Sequence, residues 1–333
     1  MDHVILSAFF IAGLAAAILT PICMTLARHF NVLDRPGGLK THKTPIPYLG
    51  GLAVYAGFLI GVLGIVTWFE QSIGGMQDVL IGAGLIFLLG LIDDIKPLSI
   101  PFKFLWQGLV ALGVAVIGDV SIHIFPWEWA NIMLSVFWVV GMTNAMNIID
   151  IMDGLAGGVT VLASATMTLL ALQEGMGEVA LLSAGLCGAT MGVLVFNRPP
   201  AKIYYGDAGA LLMGFLLAAL AMASRYTTHH VSGFAAPLLI LAVPLFDTFF
   251  VMWQRSRNGK SMFFGSPDHF ALRLERKGWS RPAVAGMILT GNFILCSFVV
   301  FSNPWSTVFA GIGYAAVGLV TLSFAWWLHY HAP

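Results

Sequence analysis

The stretch "GLIFLLGLIDDIKPL", residues 84–98, runs without interruption from an apolar segment into two adjacent carboxylates, Asp93 and Asp94. Only Lys96 is near enough in sequence to offset them. A soluble protein could bury such a segment in its core, whereas a membrane protein would use it as a span ending at a polar surface. The rest of the chain decides between the two. Of its 333 residues 58% are hydrophobic and 10% are charged, and the mean hydropathy is +0.87. Soluble domains carry about 25% charged residues, so this is an integral membrane protein.

A bilayer-crossing helix needs about 20 mostly apolar residues. By that measure spans are expected near 4–26, 48–69, 78–92, 103–118, 132–149, 157–173, 178–196, 208–224, 234–253, 283–301 and 306–328. The fold class is therefore all-α and polytopic, with about 10–11 transmembrane helices in one domain covering 1–333. The N-terminal "MDHVILSAFFIAGLAAAILTPICM" lacks a basic leading region and a small-residue cleavage site, and reads as a retained span. Cys23, Cys187 and Cys296 all lie in apolar runs, without disulfide or metal spacing.

Orientation follows from lysine and arginine, which are concentrated on cytoplasmic loops. Alternate loops, near 27–47, 93–103, 150–157, 197–207 and 254–282, hold every one of the 16 basic residues except Arg225. That side is expected to be the cytoplasm, with the N-terminus outside and the C-terminus inside. Asp93, Asp94, Asp150, Asp153, Asp207 and Asp247 all lie at or near that same face. A charge at mid-bilayer costs roughly 2.5–3.5 kcal/mol on insertion scales. Carboxylates gathered at one face cost less but repel one another, which calls for a cation among them.

Four segments carry the chemistry. An isolated Asp-Asp pair could simply mark a helix end. In "NAMNIIDIMDGLAGG", 144–158, Asn144, Asn147, Asp150 and Asp153 recur every three residues and would line one helix face, after which glycines free the backbone to bend. A buried polar network between helices is the plainer reading of that stripe. In "KIYYGDAGALLMG", 202–214, Asp207 lies between Gly206 and Gly209 at a helix start, where it could cap the helix or face a metal. The longest basic loop, 254–282, contains His269 after a Ser-Pro-Asp turn; such loops often only contact anionic lipid. Carboxylates, glycines and cations on one membrane face suit metal-assisted phosphate chemistry. Mg²⁺ takes oxygen ligands and typically one or two carboxylates, while Lys and Arg hold phosphate oxygens.

In this order the motifs resemble those of the polyprenyl-phosphate N-acetylhexosamine-1-phosphate transferases, which include the bacterial undecaprenyl-phosphate GlcNAc-1-phosphate transferases and the phospho-MurNAc-pentapeptide translocase. "HKTPIPYLGG", "GLIDDIKPL", "NAMNIIDIMDGLAGG", "YYGDAGALLMG", "VPLFDTFFVMWQR" and "SPDHFALRL" carry the resemblance from about Asp34 to Ser280. The resemblance implies transfer of a sugar-1-phosphate, GlcNAc-1-phosphate foremost, from a UDP-sugar to undecaprenyl phosphate with release of UMP. That would be the first membrane step of an envelope glycan such as O-antigen lipopolysaccharide, teichoic acid or capsule. It implies Mg²⁺, with Mn²⁺ as a substitute, and a bacterial inner-membrane location. It places Asp93 and Asp94 at the catalytic pair, Asp207 and Asp94 on the metal, and Lys43, Asn147, Asp150, Asp153, His269 and Arg273 on the substrate. The partners implied are the UDP-sugar, the lipid phosphate and the membrane, with a homodimer as an option and no nucleic acid.

The chain departs from the pattern at three places. Ala271 and Leu272 stand where the family usually has further histidines, which argues against the pentapeptide translocase. Ile151 replaces a glycine, and Ala210 a small hydroxyl residue. A secondary transporter is the alternative of a different class. Transporters place ion-binding acids near the bilayer midplane, however, and these acids gather at one face.

Overall fold

A computed structural model describes residues 2–36, 44–70, 73–226, 228–229, 231–259 and 268–331. The chain forms two compact units, Met1–Ser224 and Arg225–Pro333.

The first unit holds α1 (Asp2–His29), α2 (Gly50–Trp68), α3 (Gln77–Ile95), α4 (Ile100–Val116), α5 (Glu128–Ile149), α6 (Leu155–Gln173), α7 (Gly177–Asn197) and α8 (Gly206–Ala223). The helices are apolar all round, as membrane spans are, so sequence pattern alone does not say which faces pack. Small side chains do. Ala8, Ala12 and Ala16 of α1 are fully buried, and the latter two meet Gly57 and Gly61 of α2 so closely that a β-carbon at either glycine would clash. Close approach through small residues is how spans associate where lipid removes the hydrophobic drive between them. The opposite face of α1, Leu6, Phe10, Leu14 and Ile18, is exposed. At the centre lies α8, with 83% of its apolar window buried against 28% for α1. It packs on α3, α5 and α2.

A two-stranded antiparallel hairpin, β1 (Leu33–Asp34) with β2 (Ile46–Pro47), follows α1. It is the only sheet among the described residues. Its outer edge continues onto the chain leading into α8. The Tyr204 N–H donates to the Pro47 carbonyl at 2.8 Å, and Gly50 and Gly51 donate to the Tyr204 and Tyr205 carbonyls at 2.9 Å each.

The second unit holds α9 (Ala236–Ile240), α10 (Ala242–Arg257), α11 (Phe270–Arg276), α12 (Arg281–Ser302) and α13 (Thr307–His331). All eleven expected spans are helical, but two differ from simple crossings. Among the described residues nine helices are long and apolar enough to span, whereas α4 has only 17 residues. The span expected at 234–253 is broken, its two parts meeting at 74°. Pro244 is the cause. It has no N–H to reach the Ile240 carbonyl one turn back, and the Asn292 amide of α12 takes that carbonyl instead, at 3.2 Å.

Candidate active site

All the helix ends that meet the loops after α1, α3, α5 and α7 lie where the first unit gathers its polar side chains, and α8 begins among them. The first turn of a helix leaves backbone N–H groups without partners, and α8 has no capping side chain of its own. Asp94, from the end of α3, supplies the cap. Its Oδ1 accepts the Asp207 N–H at 2.7 Å and its Oδ2 the Ala208 N–H at 3.0 Å. These are the second and third positions of α8, which a capping oxygen normally serves from within its own helix. Gly206 makes the approach feasible: it adopts φ +69°, and a β-carbon there would lie 2.5 Å from Asp94 Oδ2.

Asp93 points elsewhere. Its Oδ1 accepts the Leu98 N–H at 2.6 Å, closing the turn from α3 to α4, and its Oδ2 meets Lys103 Nζ at 2.6 Å. The cation that answers the doubled charge is therefore Lys103 rather than Lys96. Lys103 also reaches Asp207 Oδ2, at 3.4 Å, while Asp207 Oδ1 accepts from the Asn147 amide at 2.9 Å. Asp207 remains the accessible carboxylate, its side chain 32% exposed against 7% for Asp93. One turn deeper, the Asn144 amide donates to Gln107 Oε1 at 2.5 Å, so α4 and α5 are joined by two successive polar contacts with Asp207 in the first.

The stripe expected from Asn144 to Asp153 is helical only in its first half. Helix α5 ends at Ile149, and the chain turns through Asp150–Asp153 before Gly154, at φ +76°, opens α6. Asn144 and Asn147 share the helix face; Asp150 and Asp153 do not continue it. The Asp150 carboxyl makes no hydrogen bond among the described residues, and burial, then the charges of Asp207 and Asp153, hold it well above the usual carboxylate range. Asp153 is tied down, accepting the Ala201 N–H at 2.9 Å. Burial and four carboxylates, Asp34, Asp94, Asp207 and Asp150, push the Tyr48 phenol above its ordinary value, so it stays a protonated donor beside the cluster.

Asn197 fastens the two loops together. Fully enclosed at the end of α7, it accepts the Gly154 N–H at 3.0 Å and donates to the Ile203 carbonyl at 2.8 Å. Replacing it by leucine keeps the branched shape but strands both buried backbone groups, at about 1–3 kcal/mol each. We expect Asn197→Leu to lower the melting temperature clearly and to reduce activity with it; an unchanged melt would show that the loops are held by other contacts.

Of the residues singled out in the sequence, Asp93, Asp94, Asn147 and Asp207 meet directly and Asp150 stands beside them. His269 and Arg273 belong to the second unit, where His269 pairs with Asp247 and Arg273 lies 3.9 Å from Asp268. Lys43 falls outside the described residues. Sequence reasoning placed Asp247 at the basic face without giving it a role, and passed over Lys103 and Asn197 as site residues. Lys103 did carry a signal, as the single charge in the helix "IPFKFLWQGLVALGVAV"; Asn197 carried none, since its partners are both backbone.

Asp93 and Asp207 thus pair with one ammonium, and Asp94 and Asp150 lie beside Asp207. The excess negative charge would repel a phosphate, and its oxygen-only donors fit Mg²⁺, which needs just one or two carboxylates. Among the described residues no three acidic, histidine or cysteine side chains converge to hold a metal unaided.

Residues 76–225, which contain this entire cluster, match the sequence model of glycosyl transferase family 4. A probable undecaprenyl-phosphate N-acetylglucosaminyl 1-phosphate transferase of Bacillus subtilis is 33% identical, over 92% of this chain and 87% of its own length. A decaprenyl-phosphate N-acetylglucosaminephosphotransferase of Mycobacterium tuberculosis is 32% identical over 94% and 88%, and an undecaprenyl-phosphate alpha-N-acetylglucosaminyl 1-phosphate transferase of Yersinia pestis 28% over 78% and 73%. With its acids, ammonium and amides ordered as the motifs required, this chain belongs to glycosyl transferase family 4, among the polyprenyl-phosphate N-acetylhexosamine-1-phosphate transferases.

Proposed function

We propose that this multi-pass membrane protein transfers GlcNAc-1-phosphate from UDP-GlcNAc to a polyprenyl phosphate, undecaprenyl phosphate foremost, and releases UMP at the cytoplasmic face of a bacterial inner membrane. The contact of Lys103 with both Asp93 and Asp207, at the rim of a bundle of apolar helices, carries this reading: it sets a cation between two carboxylates where a lipid headgroup can arrive. The names of the relatives supply the sugar and the lipid class. The distribution of basic residues supports the cytoplasmic face.

In the reaction an oxygen of the lipid phosphate attacks the sugar-bearing phosphorus of the UDP-sugar. The bond from that phosphorus to the bridging oxygen breaks, and UMP leaves with the electron pair. Asp207 would hold Mg²⁺, with Asp150 taking the place first given to Asp94, because both Asp94 oxygens accept backbone N–H groups. When bound, the ion neutralises phosphate charge and polarises the phosphorus under attack. Lys103 holds phosphate oxygens as a point charge. Of the catalytic pair, Asp93 is assigned the proton of the lipid phosphate, because its Oδ2 is bound to a side chain, Lys103, whereas both Asp94 oxygens are bound to backbone. Asp94 has both oxygens committed to backbone N–H groups and keeps Asp207 in place. Asn147 fixes the Asp207 rotamer, and His269 and Arg273 are carried as substrate contacts of the second unit. No covalent intermediate is needed, since positioning and charge stabilisation suffice for phosphoryl transfer.

The test is UMP release from purified protein given undecaprenyl phosphate and a panel of UDP-sugars, with and without Mg²⁺. Release that depends on the lipid, on Mg²⁺ and on one UDP-N-acetylhexosamine is the expected result. Release from none of them, by protein shown to be folded, would overturn the reading.

A further inference from the structure

The second unit contains a buried carboxylate whose two oxygens are spent on a single neighbour. Asp247 of α10 is fully enclosed. Its Oδ2 lies 2.6 Å from His269 Nδ1, and its Oδ1 accepts the Phe270 N–H at 3.0 Å. A carboxylate can only accept, so the shared hydrogen sits on His269 Nδ1. The second contact anchors the backbone next to the ring, which fixes the position of the imidazole as well as its hydrogen. Among the described residues Nε2 has no partner, although the ring is largely buried. One turn along α11 from His269, Arg273 places its guanidinium 5.3 Å from the centre of the Phe250 ring, and Phe250 lies one turn along α10 from Asp247. Thus α10 holds His269, at the start of α11, through a carboxylate and Arg273 through a ring face.

We propose that Asp247 is the positioning residue of His269: it imposes the Nδ1–H tautomer and the ring orientation, leaving Nε2 as the one nitrogen available to substrate. This rests on the reading that His269 contacts the substrate. A carboxylate behind an imidazole orients it and stabilises its cation, so Nε2, once protonated, is suited to donate to a phosphate oxygen. Partners of this kind typically change activity by about 10–100-fold when removed. The conservative Asp247→Asn is informative because an amide cannot accept from both donors. With its oxygen kept on the Phe270 N–H, its NH₂ faces Nδ1 and forces the hydrogen onto Nε2.

The experiment is ¹⁵N NMR of histidine-labelled protein at about pH 9, above the ordinary histidine range, with His269→Gln supplying the assignment, combined with UMP-release kinetics. The proposal expects an Nδ1–H resonance for His269 that becomes Nε2–H in Asp247→Asn. It also expects kcat to fall by about 10–100-fold in that variant, with no further fall when Asp247→Asn is added to His269→Ala. A wild-type Nε2–H tautomer would overturn it. So would an equal loss from Asp247→Asn in both backgrounds, which would mark Asp247 as a packing residue only. If the wild-type protein releases no UMP from any donor, the functional reading fails, and the tautomer still decides the pairing.

Discussion

Asp207→Asn abolishes UMP release while the protein stays folded: we expect a loss of at least ~10³-fold, about 4 kcal/mol of barrier. The carboxylate is more exposed than that of Asp93 and makes two different contacts, accepting from Asn147 on Oδ1 and from Lys103 on Oδ2. An asparagine can satisfy the first with its oxygen, but it then turns an NH₂ toward the Lys103 ammonium. The site loses a unit of negative charge and a partly exposed oxygen donor together. The fold should be spared, because Asp94 caps α8 through the backbone N–H of residue 207, which the substitution leaves in place. The check is the rate of UMP formation alongside a thermal melt in detergent. A near-normal rate would remove Asp207 from the machinery, and a collapsed melt would show that its role is structural.

Lys103→Met should cost about 10²–10³-fold in kcat, the range for loss of one preorganised charge-stabilising group. Methionine preserves most of the stem and so most of the packing at the start of α4, but it leaves Asp93 and Asp207 facing each other without the intervening cation. Lys103→Arg keeps the charge and should recover part of the activity. The recovery is incomplete because a planar fork does not fill the place of a compact ammonium within reach of two carboxylates. An unimpaired Lys103→Met enzyme would sink the assignment. It would leave the lipid phosphate to be held by residues of the 44–48 segment or of the second unit.

The eleven apolar segments were legible because their lengths and the alternation of basic loops are global properties that one residue cannot disguise. Two local details were not. The break at Leu241 depends on where the carbonyl freed by Pro244 finds a donor, and that donor, Asn292, lies about fifty positions away with nothing in its own neighbourhood to mark it. The turn at Asp150 interrupts a three-residue spacing that reads as helix, since periodicity alone cannot tell a helix from a turn that follows one. Within the site, the acids were visible as charges in apolar surroundings, but their division of labour was not. "DD" gives two identical letters; only the fold shows that Asp93 serves the α3–α4 turn and Lys103 while Asp94 serves a helix that begins more than a hundred residues later. The missing histidines also gain a context. Ala271 is fully buried on α11, so in this chain that position packs rather than recognises.

The capping of α8 by Asp94 has a consequence for how the molecule is made. The two groups joined there are 113 residues apart. A membrane chain emerging at about 5–20 residues per second therefore carries Asp94 for roughly 6–23 s before its partner exists. Throughout that interval a carboxylate waits at the membrane surface, and the end of α3 has no fixed neighbour on that side. When Gly206 and the first turn of α8 arrive, one event satisfies Asp94, closes the backbone of α8 and brings Asp207 to Asn147 and Lys103. Assembly of the bundle and assembly of the reaction centre are then the same step, and a nascent chain stopped short of residue 206 is inert as well as unfinished.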